Sequence, residues 1–206
     1  ENLRQSKRII IAGNHPLGGF DGMTLFYMLR SIREDVLIPA NDFLMHLENL
    51  KPHFIPVNKI GSNSANVRRL EMAFRSDSAI QMFPAGICSR KSNGVICDLE
   101  WKKTFITKAR STQRDIVPVF ISGQNSKRFY RLAQVRKFLR IGFNIEMMYL
   151  VDEAYRLKDK HIKMIFGKPI PYTTFDKRFR DVEWAQKVKD YVYTLPQNPE
   201  AMFSVE

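Results

Sequence analysis

Residues 7–22 read Lys-Arg-Ile-Ile-Ile-Ala-Gly-Asn-His-Pro-Leu-Gly-Gly-Phe-Asp-Gly. The run 7–12 is short, rich in β-branched residues and bounded by Gly13, which predicts a buried strand. Asp21 stands where a helix can begin, and can cap one whose Met23, Leu25, Phe26, Leu29 and Ile32 share a face. Between strand and helix, Gly18 and Gly19 permit a tight path that folds back on itself. That path brings the Asp21 carboxylate toward the imidazole of His15. A carboxylate on one ring nitrogen fixes the tautomer and stabilises the imidazolium formed when the other nitrogen takes a proton. A His–Asp pair of this kind is a general base for a hydroxyl nucleophile. The plainer readings are a capping Asp21 and a structural His15.

Working outward, strands are predicted at 36–39, 53–57, 79–83, 116–121, 144–151 and 161–166. Helices are predicted over 62–75 (capped by Ser62 or Asn63), 101–110, 126–140 and 181–194. Strands alternating with helices predict an α/β fold. No repeat, low-complexity tract or Pro/Gly/Ser-rich linker divides the chain, so residues 1–206 are expected to form one domain. Its 206 residues, 44% of them apolar, suffice for a sizeable core. The longest apolar runs, 8–13 and 116–121, are too short to cross a bilayer, and no signal peptide is visible. The chain opens on Glu1 rather than Met, which is compatible with a segment upstream of it.

Charge narrows the partners. The formal net charge of +12 favours an anionic one: nucleic acid, lipid headgroups or a phosphorylated carrier. Cys88 and Cys97 form neither a metal-ligand spacing nor a disulfide framework, which fits a reducing compartment. No ligand-spaced cluster suggests a metal, and no cofactor is expected. His46, His53 and His161 are scattered and receive no role.

Two more segments follow predicted strands, where open α/β sheets place their sites. Phe83-Pro84-Ala85-Gly86-Ile87-Cys88-Ser89-Arg90 begins with a turn signal and continues into Ser89, Arg90 and Lys91, an arrangement suited to cradling an anion. Val117-Pro118-Val119 carries a proline inside a strand, which argues for an edge or a bulge, with a plain core strand the equal alternative. Cys88 is read as a small half-buried residue rather than a nucleophile.

In order and context these segments resemble the glycerolipid acyltransferase family, typified by bacterial 1-acylglycerol-3-phosphate acyltransferase (PlsC-like). That family carries an Asn-His-x(4)-Asp motif, a central Gly/Arg-containing block, a Phe-Pro-Glu-Gly-Thr-Arg-Ser block and a Val-Pro-Val block. Here Asn14-His15 and Asp21, then residues 54–59, then Phe83-Pro84-Ala85-Gly86 with Ser89-Arg90, then Val117-Pro118-Val119 follow the same order over about residues 8–121. Trp101-Lys102-Lys103-Thr104-Phe105 is similar to the family's Phe-Lys-Lys-Gly-like segment. Asn14-His15-Pro16-Leu17-Gly18-Gly19 further resembles a bacterial subgroup labelled haemolysin-like, some members of which act on amino-acid-containing lipids.

The resemblance implies a single-domain mixed sheet flanked by helices, glycerol-3-phosphate acyltransferase-like. It implies an O-acyltransferase moving a fatty acyl group from acyl-CoA or acyl-carrier protein to the hydroxyl of a lysolipid-type acceptor. His15 would be the general base, oriented by Asp21. Asn14, Gly18, Gly19, Lys59, Arg68, Phe83, Pro84, Gly86, Ser89 and Arg90 would contact substrate, with donors near Gly86 serving an oxyanion or a phosphate. Three departures stand out. Five residues rather than four separate His15 from Asp21, Ala85 replaces the family's Glu, and no Arg aligns in the second block, where Lys59, Arg68 and Arg69 are candidates.

Residues 126–140 carry six cations and no acid, with Phe129, Leu132, Val135, Phe138 and Leu139 at helical spacing. Such a helix can lie in an anionic bilayer interface, pack on the core with a solvated basic face, or dock an acidic carrier protein. The expected setting is peripheral, on the cytoplasmic face of a bacterial membrane. Two rival classes are a degenerate lipid-binding homologue, motivated by Ala85, and a basic nucleic-acid-binding module. The second lacks a zinc pattern, an RNP-like motif or a recognition-helix unit, so no nucleic-acid partner is expected.

Overall fold

The computed structural model describes residue 3 and residues 8–40, 44–57 and 64–205. Among these, six strands form one sheet in the order β3 (Phe54–Pro56), β2 (Val36–Ala40), β4 (Ala79–Met82), β1 (Ile9–Gly13), β7 (Asp115–Ile121) and β8 (Met164–Phe166). Every pairing is parallel except β7 with β8, so the sheet is mixed, as expected. Strand β1 lies between β4 and β7, and all five of its residues are buried. An unbroken Ile-Ile-Ile run is what a strand covered on both faces requires.

Alternation along β1 divides the core. Ile10 and Ala12 face the layer of α2 (Ser64–Arg75), α3 (Thr104–Thr112) and α6 (Asp181–Thr194), packing with Phe74, Phe105 and Trp184. Ile9 and Ile11 face α1 (Gly19–Arg30), packing with Leu25, Phe26 and Leu29. The helix expected over 181–194 occupies those residues, and the α/β architecture is as read.

Several local expectations are corrected. Residues 144–151 form no strand: Ile145–Tyr149 is a 3-10 helix that runs into α5 (Leu150–Tyr155). Their dense apolar content resembled a buried strand, yet Met148, Tyr149 and Val151 are exposed. Helix α3 starts at Thr104 rather than 101, because buried Trp101 belongs to the approach to the helix. Ser62 and Asn63, the caps expected for α2, lie outside the described residues. Asp21 is not a cap: α1 starts at Gly19, with Gly18 in the N-cap position.

Pro118 sits at a bulge. Register runs Val119↔Phe166 but Ile116↔Ile170, three steps along β7 against four on its partner. The Gly167 N–H donates to the Pro118 carbonyl (2.9 Å), so the ladder resumes past a residue that has no N–H.

An unforeseen hairpin, β5 (Arg90–Ser92) and β6 (Val95–Cys97), turns through Asn93 (φ 48°) and Gly94 (φ 81°). Both turn residues have positive φ, the requirement of a tight hairpin turn that Asn-Gly meets.

Candidate active site

Because β1, β4 and β7 are parallel neighbours, the loops that leave their C-terminal ends meet over one edge of the sheet. Asn14 ties two of them together. Its Nδ2 donates to the Ile121 carbonyl (2.9 Å), and the Ile121 N–H donates to its Oδ1 (2.7 Å). The amide thereby continues the β1–β7 ladder in place of backbone. With both polar atoms so engaged and the residue buried, Asn14 shapes the loop.

His15 follows. Its Nδ1 lies 3.2 Å from Asp21 Oδ2, and its ring stacks on Phe83 at the end of β4 (centroids 4.3 Å apart, planes at 22°). Asp21 is buried in the first turn of α1, and its Oδ2 also accepts the Leu17 N–H (2.7 Å). Burial pushes the Asp21 carboxyl above its ordinary range, opposed by His15 and the Leu17 N–H, while nearby Asp98 adds to the rise. The side chain of His15 keeps 15% of its surface open, whereas that of Asp21 keeps none. One partner can therefore meet a substrate while the other is shielded.

The fold-back that brings them together turns at Gly18, with φ 74° and ψ −137°. A Cβ there would be strained by its backbone and would stand 2.7 Å from the Leu150 side chain. Gly19 has open space around it, with no atom within 4 Å of an added Cβ. The five intervening residues span this turn and the first turn of α1.

The third segment holds His15 from behind through a residue that sequence reading missed. Buried Asp98, just after β6, accepts the His15 N–H (3.1 and 3.2 Å to its two oxygens), the Ser89 hydroxyl (2.6 Å) and the Trp101 indole N–H (2.9 Å). The Ser89 N–H donates to the His15 carbonyl (2.8 Å). Tyr193, whose phenol is pushed well up by burial and so stays neutral, accepts the Asp98 N–H (2.8 Å). Local pattern does not mark Asp98; only the hairpin brings it back, and Asn93-Gly94 was the available signal for that hairpin.

Ser89 and Arg90 are thus not an open anion cradle. Arg90 donates to Glu146 Oε1 (2.8 Å), to the Cys88 carbonyl (3.2 Å) and to its sulfur (3.0 Å), and lies over the Phe129 ring. Glu146 is fully buried between Arg90 and Arg136 (2.9 Å), and an unpaired carboxylate there would be costly. Cys88 is fully buried rather than half-buried, and burial raises its thiol pKa, which disfavours the thiolate a nucleophile needs.

Pro84 is buried, its carbonyl accepting the Lys102 N–H (3.1 Å), and Gly86 closes a turn by donating to the Phe83 carbonyl (3.0 Å). The cation at that turn is Lys102, whose Nζ would lie 3.0 Å from a Cβ on Gly86. Ala85, where the related motif has Glu, is buried in the core. Lys59 lies outside the described residues, and Arg68 and Arg69 are exposed on α2, which packs on β3 and α3. The structure therefore joins His15, Asp21, Phe83 and Ser89 in one cluster with Asp98, and leaves Arg68 on a separate helix.

This arrangement can withdraw a proton from a hydroxyl placed at the outer nitrogen of His15. Comparison with known proteins places the chain in a family. The sequence model of a family described as acyltransferase matches residues 1–200. A lyso-glycine lipid O-acyltransferase of Phocaeicola vulgatus is 49% identical over 197 residues, covering 95% of this chain and 71% of that protein. Its namesake from Bacteroides thetaiotaomicron is also 49% identical over 197 residues, covering 95% and 72%. The crystal structure of the 1-acyl-sn-glycerophosphate acyltransferase PlsC from Thermotoga maritima superposes with a TM-score of 0.54 at 16% identity, covering 99% of this chain and 71% of that one.

Proposed function

Since the chain belongs to the PlsC-like acyltransferase family and is an acyltransferase, we propose that it esterifies a lysolipid hydroxyl, with His15 as general base and Asp21 as its positioning residue. The observation that carries the reading is the 3.2 Å contact between partly open His15 and fully shielded Asp21. Asp21 holds the proton on Nδ1, which leaves the outer nitrogen, Nε2, to take the acceptor's hydroxyl proton. The acceptor oxygen attacks the carbonyl carbon of an acyl thioester, from acyl-CoA or acyl-carrier protein, and negative charge gathers on the carbonyl oxygen. We assign the stabilisation of that charge to Lys102, the cation at the Gly86 turn. The C–S bond then breaks, and the leaving thiolate takes the proton from His15. Atoms and charge balance without an acyl-enzyme.

For the acceptor we favour a lysolipid whose headgroup carries an amino acid. Two relatives at 49% identity are named for lyso-glycine lipid, and Ala85 places a small apolar residue where the glycerophosphate motif has a carboxylate. The reaction belongs at a membrane surface, where lysolipids reside. No helix among the described residues is long and apolar enough to cross a membrane.

The test is a competition with a labelled acyl thioester and two detergent-dispersed acceptors, a lyso-glycine lipid and lysophosphatidate. The expected result is preference for the glycine lipid by at least about tenfold, the scale set by one or two headgroup contacts. Preference for lysophosphatidate would overturn the acceptor assignment, and transfer to neither would overturn the lysolipid reading.

A further inference from the structure

The span that was expected to be a strand turns its apolar groups outward. Among the described residues, nine exposed large apolar side chains fall between 135 and 155, including Phe138 (86% exposed), Phe143, Met148, Val151 and Tyr155 (77%). They come from the C-terminal end of α4 (Lys127–Phe138), the connection over 139–144, the 3-10 helix and α5, and the 3-10 helix packs on both helices. The inner face of α4 is core, with Phe129, Tyr130 and Ala133 buried, so the exposed groups are not the helix's packing stripe. Exposed large apolar groups concentrated on elements that pack together mark an interaction site.

Charge identifies the partner. Residues 126–160 hold nine Lys and Arg against four Asp and Glu, and two of those acids, Glu146 and Glu153, are buried. Arg131, Lys137 and Arg140 rim the apolar groups and are themselves exposed. Apolar side chains of mixed size within a basic rim match the interface of an anionic bilayer. A second copy of the chain would bring two basic rims together, which opposes self-association.

We propose that residues 135–155 form the face by which this acyltransferase docks on anionic lipid, a proposal that rests on the membrane-surface reading above. Docking through this face sets the catalytic loop at the bilayer. The side chain of Leu150 abuts Gly18, the Asn125 amide donates to the Pro16 carbonyl (3.1 Å), and Glu146 binds Arg90 behind His15. A lysolipid then reaches the base without leaving the membrane.

Co-sedimentation with vesicles of phosphatidylcholine alone and of phosphatidylcholine with one-third phosphatidylglycerol tests this. Binding to the anionic vesicles should exceed binding to neutral ones by at least about tenfold, the effect of a few rim cations. The double variant Phe138→Asp with Phe143→Asp should lose most of that binding while its acyl transfer to detergent-dispersed lysolipid stays at the level of the unmodified chain. Undiminished vesicle binding by the variant would overturn the assignment, as would equal binding to neutral vesicles. Failure to bind vesicles together with a dimer in ultracentrifugation that the variant dissolves would make the face a contact between copies, against the proposal. Vesicle binding as described, with no transfer to either acceptor, would instead sink the lysolipid reading and leave the docking face standing.

Discussion

Around His15, buried Asn14 and Asp98 tie the loops together through polar contacts; between 135 and 155, nine large apolar side chains of the described residues are exposed. The two regions touch, through Leu150 against Gly18 and Glu146 against Arg90. Buried polar networks fix geometry because every unmatched member carries a desolvation cost. Exposed apolar area does the reverse: it leaves free energy to be released on contact with a partner. In the proposed function the first region positions the base, and in the proposed docking the second brings it to the membrane.

Breaking the first region should have the larger effects. Asp21→Asn keeps an acceptor for the Leu17 N–H but removes the anion that orients His15. Acyl transfer should fall by about 10³- to 10⁴-fold, as expected when a general base loses its tautomer control. Stability should not fall with it. The Asp21 carboxyl is raised by burial, so its ionised form is a cost to the fold. That cost is absent below the ordinary carboxylate value of 3.8 and is fully present above the raised one. Denaturant melts at pH 7 should therefore show the Asn variant at least as stable as the parent, and a clear loss of stability would contradict the stated cause.

Asp98→Asn attacks the same region from behind. It leaves donors from His15, Ser89 and Trp101 short of an acceptor, at about 2–3 kcal/mol. For a chain of this size that is a fall in Tm of roughly 5–10 °C, readable by calorimetry. Next comes the seam between the regions. Gly18→Ala should cost about 2 kcal/mol from its positive φ and the Leu150 contact. Gly19→Ala, one residue on and with open space around it, should stay within about 0.5 kcal/mol. Equal costs at the two glycines would contradict the geometry of the turn.

The same contrast explains what could be read in the sequence. Strands β1 and β7 and helix α6 were legible because their apolar pattern is dictated by the core they face. The His15–Asp21 pair was legible because its members stand six positions apart in sequence, across a single glycine turn. Residues 144–151 were not, since apolar residues destined for a surface carry no periodic mark of the structure beneath them. The roles of Ser89 and Arg90 were also hidden. Both looked available to an anion, and both are consumed by partners far away in sequence, Asp98 and Glu146. Asp98 itself needs the β5–β6 turn, made by Asn93-Gly94, to reach the site.

The most direct measurement is single-turnover acyl transfer from a labelled thioester to a lysolipid by His15→Ala and His15→Gln, with circular dichroism and thermal melts on the same preparations. A positioned base is worth about 10²–10⁴-fold. Both variants should lose at least that much transfer while keeping the spectrum and, within a few degrees, the Tm of the unmodified chain. Transfer at an unchanged rate in a folded His15→Ala protein would contradict the assignment of His15 as the base.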